Sequence, residues 1–274
     1  HRPVAAQPDV RAVMGGSVRF ESRDEVGFVV IDNPPRRNAL TVGMWEALGE
    51  LVRGIDREGG HRCLVLCGAG EEAFASGADI SEFEHERSDR EQVTRYHERY
   101  VGPGLASLLE CGIPTIAMIR GTCMGGGLEI ASCCDIRIAA DDAKLGIPIS
   151  RMGFPLAFGE TELLFRLFGR GIAAELLLEG RIYDAQEALS KGLVERVVPA
   201  ERLEEEALAT ARRVAAGSPN AHRSTKAQFL RLLRDASPVT AEERAQSYDF
   251  ADTEDYRIGY RAFLRKVKPV FEGR

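Results

Sequence analysis

The chain has 274 residues, and 36 Lys and Arg against 42 Asp and Glu give it a net charge of −6. With 44% hydrophobic and 28% charged residues, the composition excludes an intrinsically disordered chain, because enough apolar surface can be buried to offset the lost chain entropy. The acidic balance argues against nucleic acid as the main partner, and no apolar run reaches the roughly 18 residues of a membrane helix. We therefore expect a cytoplasmic protein that binds neither nucleic acid nor membrane.

The predicted elements follow a flexible leader, residues 1–16. In chain order, hydrophobic periodicity predicts strands at 18–22 and 26–32, a helix from a Thr41 cap to Gly59, a strand at 63–67, a charged and mostly helical stretch at 81–110, a strand at 115–119, a short helix at 125–132 and a strand at 135–140. Beyond residue 160 the chain is mostly helical, at 162–168, 173–179, 185–191, 203–216, 221–234, 242–252 and 256–266, with one strand at 193–198. This order predicts an α/β core over residues 17–199 and a C-terminal helical region over 200–274.

Two glycine-containing stretches follow predicted strands, at 73–80 and 121–129. In the second, glycines open a helix, so free N–H groups and the positive end of the helix dipole face outward and would stabilise a developing anion. Glu129 lies about one turn into that helix, which suits a general acid or base. A tight packing turn, with Glu129 only complementing the dipole, is the structural alternative.

Other site types fit poorly. The glycine spacing matches neither a P-loop nor a dinucleotide-binding loop, and the sequence has no H-E-x-x-H and no G-x-S-x-G. The six cysteines lie mostly in apolar runs and lack the spacing of a zinc site, so we expect buried, reduced thiols and no metal.

The motifs together are more specific than either loop alone. They are N-x-P-x-R-N-A-L at 33–40, F-A-S-G-A-D-I at 74–80, G-T-C-M-G-G-G-L-E at 121–129 and D-A-Q-E-A-L-S-K-G-L-V-E-R-V-V-P at 184–199. Over residues 18–271 the chain resembles the enoyl-CoA hydratase/isomerase (crotonase) superfamily. The resemblance implies a spiral of ββα units, a helical C-terminal region that forms a homotrimer or a dimer of trimers, an acyl-CoA substrate with no further cofactor, and an enolate intermediate.

By motif position, the resemblance implies an oxyanion hole made by the amides of Ala78 and Gly126, with Glu129 as the principal acid/base. The same comparison of motifs assigns coenzyme A binding to Arg36, Arg37, Ala39, Ala75, Asp79, Ile80 and Lys266. Asp79 is expected to fix its loop rather than to catalyse. For the cations, ordinary surface charge is the alternative.

The sequence departs from the family pattern at one position. Hydratases that use two glutamates carry the second in a segment resembling F-G-x-P-E, and here that segment reads L-G-I-P-I, which places Ile149 at the glutamate position. Three interpretations stay open. Glu129 acts with a substrate group or water, or Glu160 or Glu162 substitutes, or the chain catalyses isomerisation, decarboxylation or thioester hydrolysis in an apolar acyl pocket formed by Ile149, Phe154, Leu156 and Phe158.

Two rival functions belong to other classes. One is a coenzyme A-binding protein without turnover, which would retain the glycine loops for binding or assembly. The other is a thioester hydrolase with Cys123 or Cys133 as nucleophile.

Overall fold

The structure, a computed structural model, describes residues 15–274. The strands in this range are β1 (Ser17–Arg23), β2 (Val26–Asp32), β3 (Cys63–Gly68), β4 (Ala73–Ala75), β5 (Thr115–Ile119), β6 (Thr122–Met124), β7 (Ile136–Ala140), β8 (Lys144–Gly146), β9 (Ile182–Asp184) and β10 (Arg196–Val198). They form a six-stranded sheet in the order β1-β2-β3-β5-β7-β10 and a four-stranded sheet in the order β4-β6-β8-β9. Of the predicted leader, only Gly15 and Gly16 fall within the described residues.

The α-helices are α1 (Val42–Glu58), α2 (Phe83–Glu86), α3 (Arg90–Arg95), α4 (Gly102–Glu110), α5 (Gly126–Cys133), α6 (Phe158–Ala174), α7 (Ala185–Ser190), α8 (Leu203–Ala215), α9 (Pro219–Arg234), α10 (Ala241–Gln246) and α11 (Glu254–Arg265). There are also two π-helical segments: Tyr96–Val101 joins α3 to α4, and Glu175–Glu179 continues α6 as far as Gly180. The predicted α/β class is confirmed by this mixture of sheets and helices.

The large sheet is buried on both faces. Its strands pair in parallel from β2 to β10, and only β1 runs antiparallel to β2. Alternate residues of β3 face opposite sides, so that Leu64 and Leu66 pack with the buried residues of α1 while Val65 packs with Ala207 and Ala211 of α8. A parallel sheet covered by helices needs apolar residues on both faces, which explains the continuous apolar run of β3.

Helix α1 confirms its predicted limits. The Thr41 hydroxyl accepts a hydrogen bond from the Met44 amide, and the helix ends at Gly59, whose φ of 68° suits a residue without Cβ. The buried face of α1 includes Trp45, which reaches the site described below.

The small sheet is the main difference from the sequence prediction. Strands of three residues show too little alternation to be recognised, so 73–75 and 122–124 were expected as parts of loops and 144–146 and 182–184 went unpredicted. The predicted strand at 193–198 is also shorter, because only Arg196–Val198 pairs, with β7. The predicted helix at 242–252 divides into α10 and a short 3₁₀ turn, Asp249–Asp252.

The C-terminal helices leave several large apolar side chains exposed. The last residues fold back onto the N-terminal ends of α9 and α11, where the Asp255 carboxylate accepts hydrogen bonds from the Ser218 hydroxyl and the amides of Glu272 and Gly273. The exposed apolar side chains of this region include Phe229, Leu232, Tyr248, Phe263, Leu264 and Val270. Among residues 15–274, no helix is both long and apolar enough to cross a membrane.

Candidate active site

A solvent-open cleft lies beside the small sheet. One wall consists of backbone from the ends of β4 and β6, at Gly77, Ala78, Gly125 and Gly126. A second wall comes from residues 80–101, called here the wall segment, which contributes Ile80, Phe83, Arg87, Tyr96, His97 and Val101. A loop contributes Pro148, Ile149, Met152, Phe154, Pro155 and Leu156, and Trp45 and Glu129 complete the lining.

The backbone around Ala78 is fixed from both sides. The Leu40 amide donates to the Gly77 carbonyl at 2.8 Å, and the Asp79 amide donates to the Leu40 carbonyl at 2.9 Å. This parallel bridge turns the Ala78 amide away from Leu40, and within residues 15–274 that amide donates to no acceptor. Gly126 is the first residue of α5, and its amide N–H likewise donates to no acceptor among the described residues, as expected at a helix start.

Glycines allow the two loops to approach closely. A Cβ on Gly77 would lie 3.7 Å from the Gly126 nitrogen, which shows how near the two donor-bearing loops are. A Cβ on Gly126 would lie 2.8 Å from the Trp45 ring, and one on Gly127 would lie 2.3 Å from the Ala75 carbonyl oxygen. Ala78 and Gly126 therefore present two free N–H groups to one cleft, as an oxyanion hole requires.

Glu129 faces the same cleft from α5 with a side chain that is almost fully buried. Burial raises the pKa of its carboxyl to about 8, the nearby negative charge of Glu160 acts in the same direction, and the Arg87 guanidinium opposes them. Within the described chain the carboxyl accepts no hydrogen bond. At neutral pH it therefore holds a proton that it can transfer.

A histidine on the cleft wall pairs with a second buried carboxylate. His97, on the π-helical segment, pairs through Nδ1 with Oε1 of Glu160 at 2.8 Å. The other oxygen of Glu160 accepts the Ala157 amide at the start of α6, 3.0 Å away. The cleft thus contains a carboxylate-oriented imidazole that the sequence analysis did not identify.

Arg87 occupies an aromatic cluster at the edge of the cleft. Its guanidinium lies 4.2 Å from the Phe83 ring centre, 4.7 Å from that of Tyr96 and 4.8 Å from that of Phe154. Burial lowers the pKa of Arg87, and the guanidinium forms no ion pair with a described residue. Its positive charge acts on Glu129 through the low-dielectric cleft.

The comparisons with known proteins agree with this geometry. The sequence model of the family described as Enoyl-CoA hydratase/isomerase matches residues 21–274. The chain belongs to the enoyl-CoA hydratase/isomerase family. It is 42% identical to an enoyl-CoA hydratase/carnithine racemase from Magnetospirillum magneticum, with a TM-score of 0.91 over 94% of this chain and 96% of that one.

Other family members show the same correspondence. An enoyl-CoA hydratase structure from Bacillus anthracis is 32% identical, with a TM-score of 0.86 over 94% of this chain and 99% of that one. A short-chain-enoyl-CoA hydratase from Clostridium acetobutylicum is 33% identical over 92% of this chain and 96% of its own length. The predicted crotonase fold is therefore confirmed, and the family is enzymatic.

Ile149, which stands where the family pattern has its second glutamate, lies on the cleft wall, so an aliphatic side chain occupies that position. Of the two substitutes considered, Glu160 is buried against His97, whereas Glu162 lies on the outer face of α6, paired with Arg166. Phe154 and Leu156 line the cleft as expected for an acyl pocket. Phe158, considered for the same pocket, does not line the cleft, because it begins α6 and is 86% exposed.

The residues predicted to bind coenzyme A divide into two groups. Near the cleft, Nη1 of Arg36 donates to both carboxylate oxygens of Asp79 and to the Ser81 hydroxyl, while Ile80 is exposed on the cleft wall. Burial alone would raise the pKa of Asp79, but hydrogen bonds from Ser81 and Arg36 outweigh it and hold that pKa below its ordinary value. The Asp79 carboxylate thus links Arg36 and Ser81 beside the loop that carries Ala78, and its loop-fixing role stays a prediction.

The remaining predicted residues lie in other environments. Ala39 and Ala75 are buried, so only their backbone atoms could contact a ligand. Arg37 is exposed in a left-handed conformation, and Lys266, also left-handed, follows the last residue of α11 and does not line the cleft. These assignments stay predictions.

All six cysteines are buried free thiols, as predicted. Burial raises the pKa of Cys123 and Cys133 far above the range in which a thiolate forms at neutral pH. Neither cysteine lines the cleft, so a cysteine nucleophile is disfavoured. Within residues 15–274, no cluster of three or more His, Cys, Asp or Glu side chains could hold a metal ion.

Replacing Arg87 with Met is expected to raise the pKa of Glu129 further, because the guanidinium is the charge that favours the ionised form. In a pH profile of kcat/KM, activity falls on the alkaline side as Glu129 loses its proton, and this limb of the profile should then move to higher pH. Arg90→Met, at an exposed position at the start of α3, is the matched control and should leave that limb in place. An unchanged limb in Arg87→Met would contradict the electrostatic coupling.

Proposed function

We propose that this protein hydrates the double bond of a 2-enoyl-CoA thioester. The amides of Ala78 and Gly126 stabilise the enolate oxygen, and Glu129 is the principal acid/base. The observation that carries the proposal is that two backbone N–H groups without an acceptor and one protonated, buried carboxyl face the same cleft.

The chemistry follows from where charge develops. Addition of water at the β-carbon moves the electrons of the double bond onto the thioester oxygen, and two fixed N–H donors stabilise that charge without reorganising. The apolar side chains around the donors, among them Phe83, Ile149 and Leu156, exclude water once an acyl chain packs against them, which strengthens these electrostatic interactions. Glu129 can then give its proton to the α-carbon.

We extend the proposal to the coenzyme A moiety. Arg36, Arg37 and Lys266 supply positive charge for its phosphates, and the backbone at Ala39 and Ala75 lies beside the Ala78 loop, which Asp79 and Ile80 continue. Arg36 and Arg37 are at least partly exposed, and Lys266 is exposed, so these cations are accessible to an anionic ligand. No further cofactor is part of this proposal.

We also propose a homotrimer or a dimer of trimers. The exposed apolar side chains of α9 to α11 and the residues that follow support this assembly, since such a surface is stabilised when it is covered. The division into a core at 17–199 and a helical region at 200–274, and a location in the cytoplasm, remain predictions.

The test follows the ultraviolet absorbance of trans-2-enoyl-CoA esters of short and medium chain length with the purified protein. We expect the absorbance of the conjugated thioester to fall and the product to be the 3-hydroxyacyl-CoA, identified by mass because hydration adds one water. A product of unchanged mass would indicate migration of the double bond instead. No change at high enzyme concentration with any chain length would rule hydration out.

A further inference from the structure

We infer that His97 is the second catalytic group of the cleft, the base that takes a proton from the attacking water, and that Glu160 positions its imidazole. This inference rests on the proposed function and deepens it. Hydration needs one group for water and one for the α-proton, and Glu129 can serve only one of these roles at a time. Ile149 can serve neither.

The hydrogen bond between His97 and Glu160 defines which ring nitrogen is available. With Nδ1 donating to the carboxylate at 2.8 Å, the neutral imidazole keeps a lone pair on Nε2. Nε2 has no hydrogen-bond partner among residues 15–274, and His97 lines the cleft. The same orientation of an imidazole by a carboxylate favours proton acceptance in other catalytic arrangements.

Glu160 is itself held in place. Its side chain is 5% exposed, and its second oxygen accepts the Ala157 amide as part of the N-terminal cap of α6. Both carboxylate oxygens therefore have defined partners, and the carboxylate cannot rotate away without losing both. Glu160 does not line the cleft, so it acts through His97.

The backbone that carries His97 is unusual. Tyr96–Val101 is π-helical, a conformation that is rare and often found at functional sites. Within this single segment, Tyr96, His97 and Val101 all face the cleft. A regular α-helix would rotate these side chains relative to one another, so the distortion serves the arrangement of the cleft wall.

The step balances in protons and electrons. Nε2 of His97 takes a proton from water as the oxygen bonds to the β-carbon, and the electrons of the double bond move to the thioester oxygen at Ala78 and Gly126. The enolate collapses and the α-carbon takes the proton of Glu129. Imidazolium and carboxylate then return to their starting states by one proton transfer through solvent.

The test separates this role from packing. His97→Asn places an amide nitrogen near the position of Nδ1 and can keep the hydrogen bond to Glu160, but it cannot accept the proton of water. We expect kcat for hydration to fall about a hundredfold or more, with KM little changed. Exchange of the α-protons of butyryl-CoA with deuterated water, which needs only Glu129 and the two amides, should persist within a few-fold.

A second variant addresses Glu160. In Glu160→Gln the Ala157 amide still donates to the single side-chain oxygen, so the NH₂ group faces His97. That NH₂ group donates to Nδ1, and the ring hydrogen is therefore on Nε2, which can no longer accept a proton. Hydration should fall as in His97→Asn while α-proton exchange persists. His85→Asn, at an exposed position on α2, and Glu162→Gln, on the outer face of α6, are the matched controls and should retain wild-type rates. Addition of imidazole to His97→Ala should restore part of the hydration rate.

The outcomes are distinct. A wild-type rate of hydration in His97→Asn would overturn the role of His97 and leave the proposed function intact. The same holds if the variant loses hydration and α-proton exchange to an equal extent. If the wild-type protein exchanges α-protons but hydrates no enoyl-CoA, both the proposed function and this inference fail. If His97→Asn does not fold, Glu160→Gln with the same two assays decides the question.

Discussion

Glu129→Gln is expected to lower kcat for hydration roughly a thousandfold, because the amide preserves the shape of the carboxyl and cannot donate or accept the α-proton. The same variant should also lose α-proton exchange on butyryl-CoA, which distinguishes it from His97→Asn. Steady-state absorbance assays and mass-detected exchange measure the two effects. Retention of exchange by Glu129→Gln would assign the α-proton to another group.

The same substitution should stabilise the protein in a pH-dependent manner. The Glu129 carboxyl has an ordinary pKa of 4.5 and a pKa of about 8 in the folded cleft, so between these values the folded state binds more protons than the unfolded state. The free energy of unfolding of the wild-type protein therefore falls as pH rises through this window. In Glu129→Gln this fall is absent, because the amide does not titrate. The difference in Tm should be small near pH 4.5 and largest above about pH 8. A difference that does not change with pH would show that Glu129 is not protonated in the folded protein.

Gly127→Ala is expected to damage both stability and activity without touching any ionisable group. The added Cβ would lie 2.3 Å from the carbonyl oxygen of Ala75 in β4, and a backbone atom cannot rotate out of the way. Helix α5 must then shift away from the small sheet and carry the Gly126 amide with it. We expect a loss of about 1–3 kcal/mol in the free energy of unfolding and a fall in kcat of roughly a hundredfold or more, comparable to removal of one oxyanion donor.

Gly159→Ala is the matched control for this substitution. Gly159 lies in α6 with no atom near the position of its missing Cβ, so the alanine should be tolerated or slightly stabilising. Thermal unfolding and hydration rates should therefore separate the two alanine variants. Near wild-type behaviour of Gly127→Ala would mean that α5 and β4 can move apart without cost to the donors.

Much of the large sheet could be predicted because its strands are long enough to show their pattern. The run at 63–67 and the helix from Thr41 to Gly59 appear in the structure with nearly the predicted limits. The small sheet was missed because three residues hold too few alternations to be told from a loop. Its stability depends on tertiary packing against residues far along the chain, which local patterns do not report.

Only part of the candidate site could be predicted from the sequence, for a similar reason. The backbone donors and Glu129 lie in short contiguous motifs, so the sequence displays them together. His97 and Glu160 are 63 positions apart, and each occurs among other charged residues that lie on the surface. The weak signal in residues 80–101 was the presence of Phe83, Tyr96 and Val101 within a strongly charged stretch, which indicates a buried face.

The two walls of the cleft are built from different kinds of group, backbone amides on one side and side chains on the other. The donor amides lie at the ends of β4 and β6, while the wall segment contributes the aromatic rings, Arg87 and His97 without adding a strand to either sheet. Every residue type except proline supplies the same backbone N–H, so the proposed donors do not depend on which side chains line the opposite wall. Substitutions in the wall segment can therefore change the reaction or the preferred acyl group while the two donor groups keep their chemical identity.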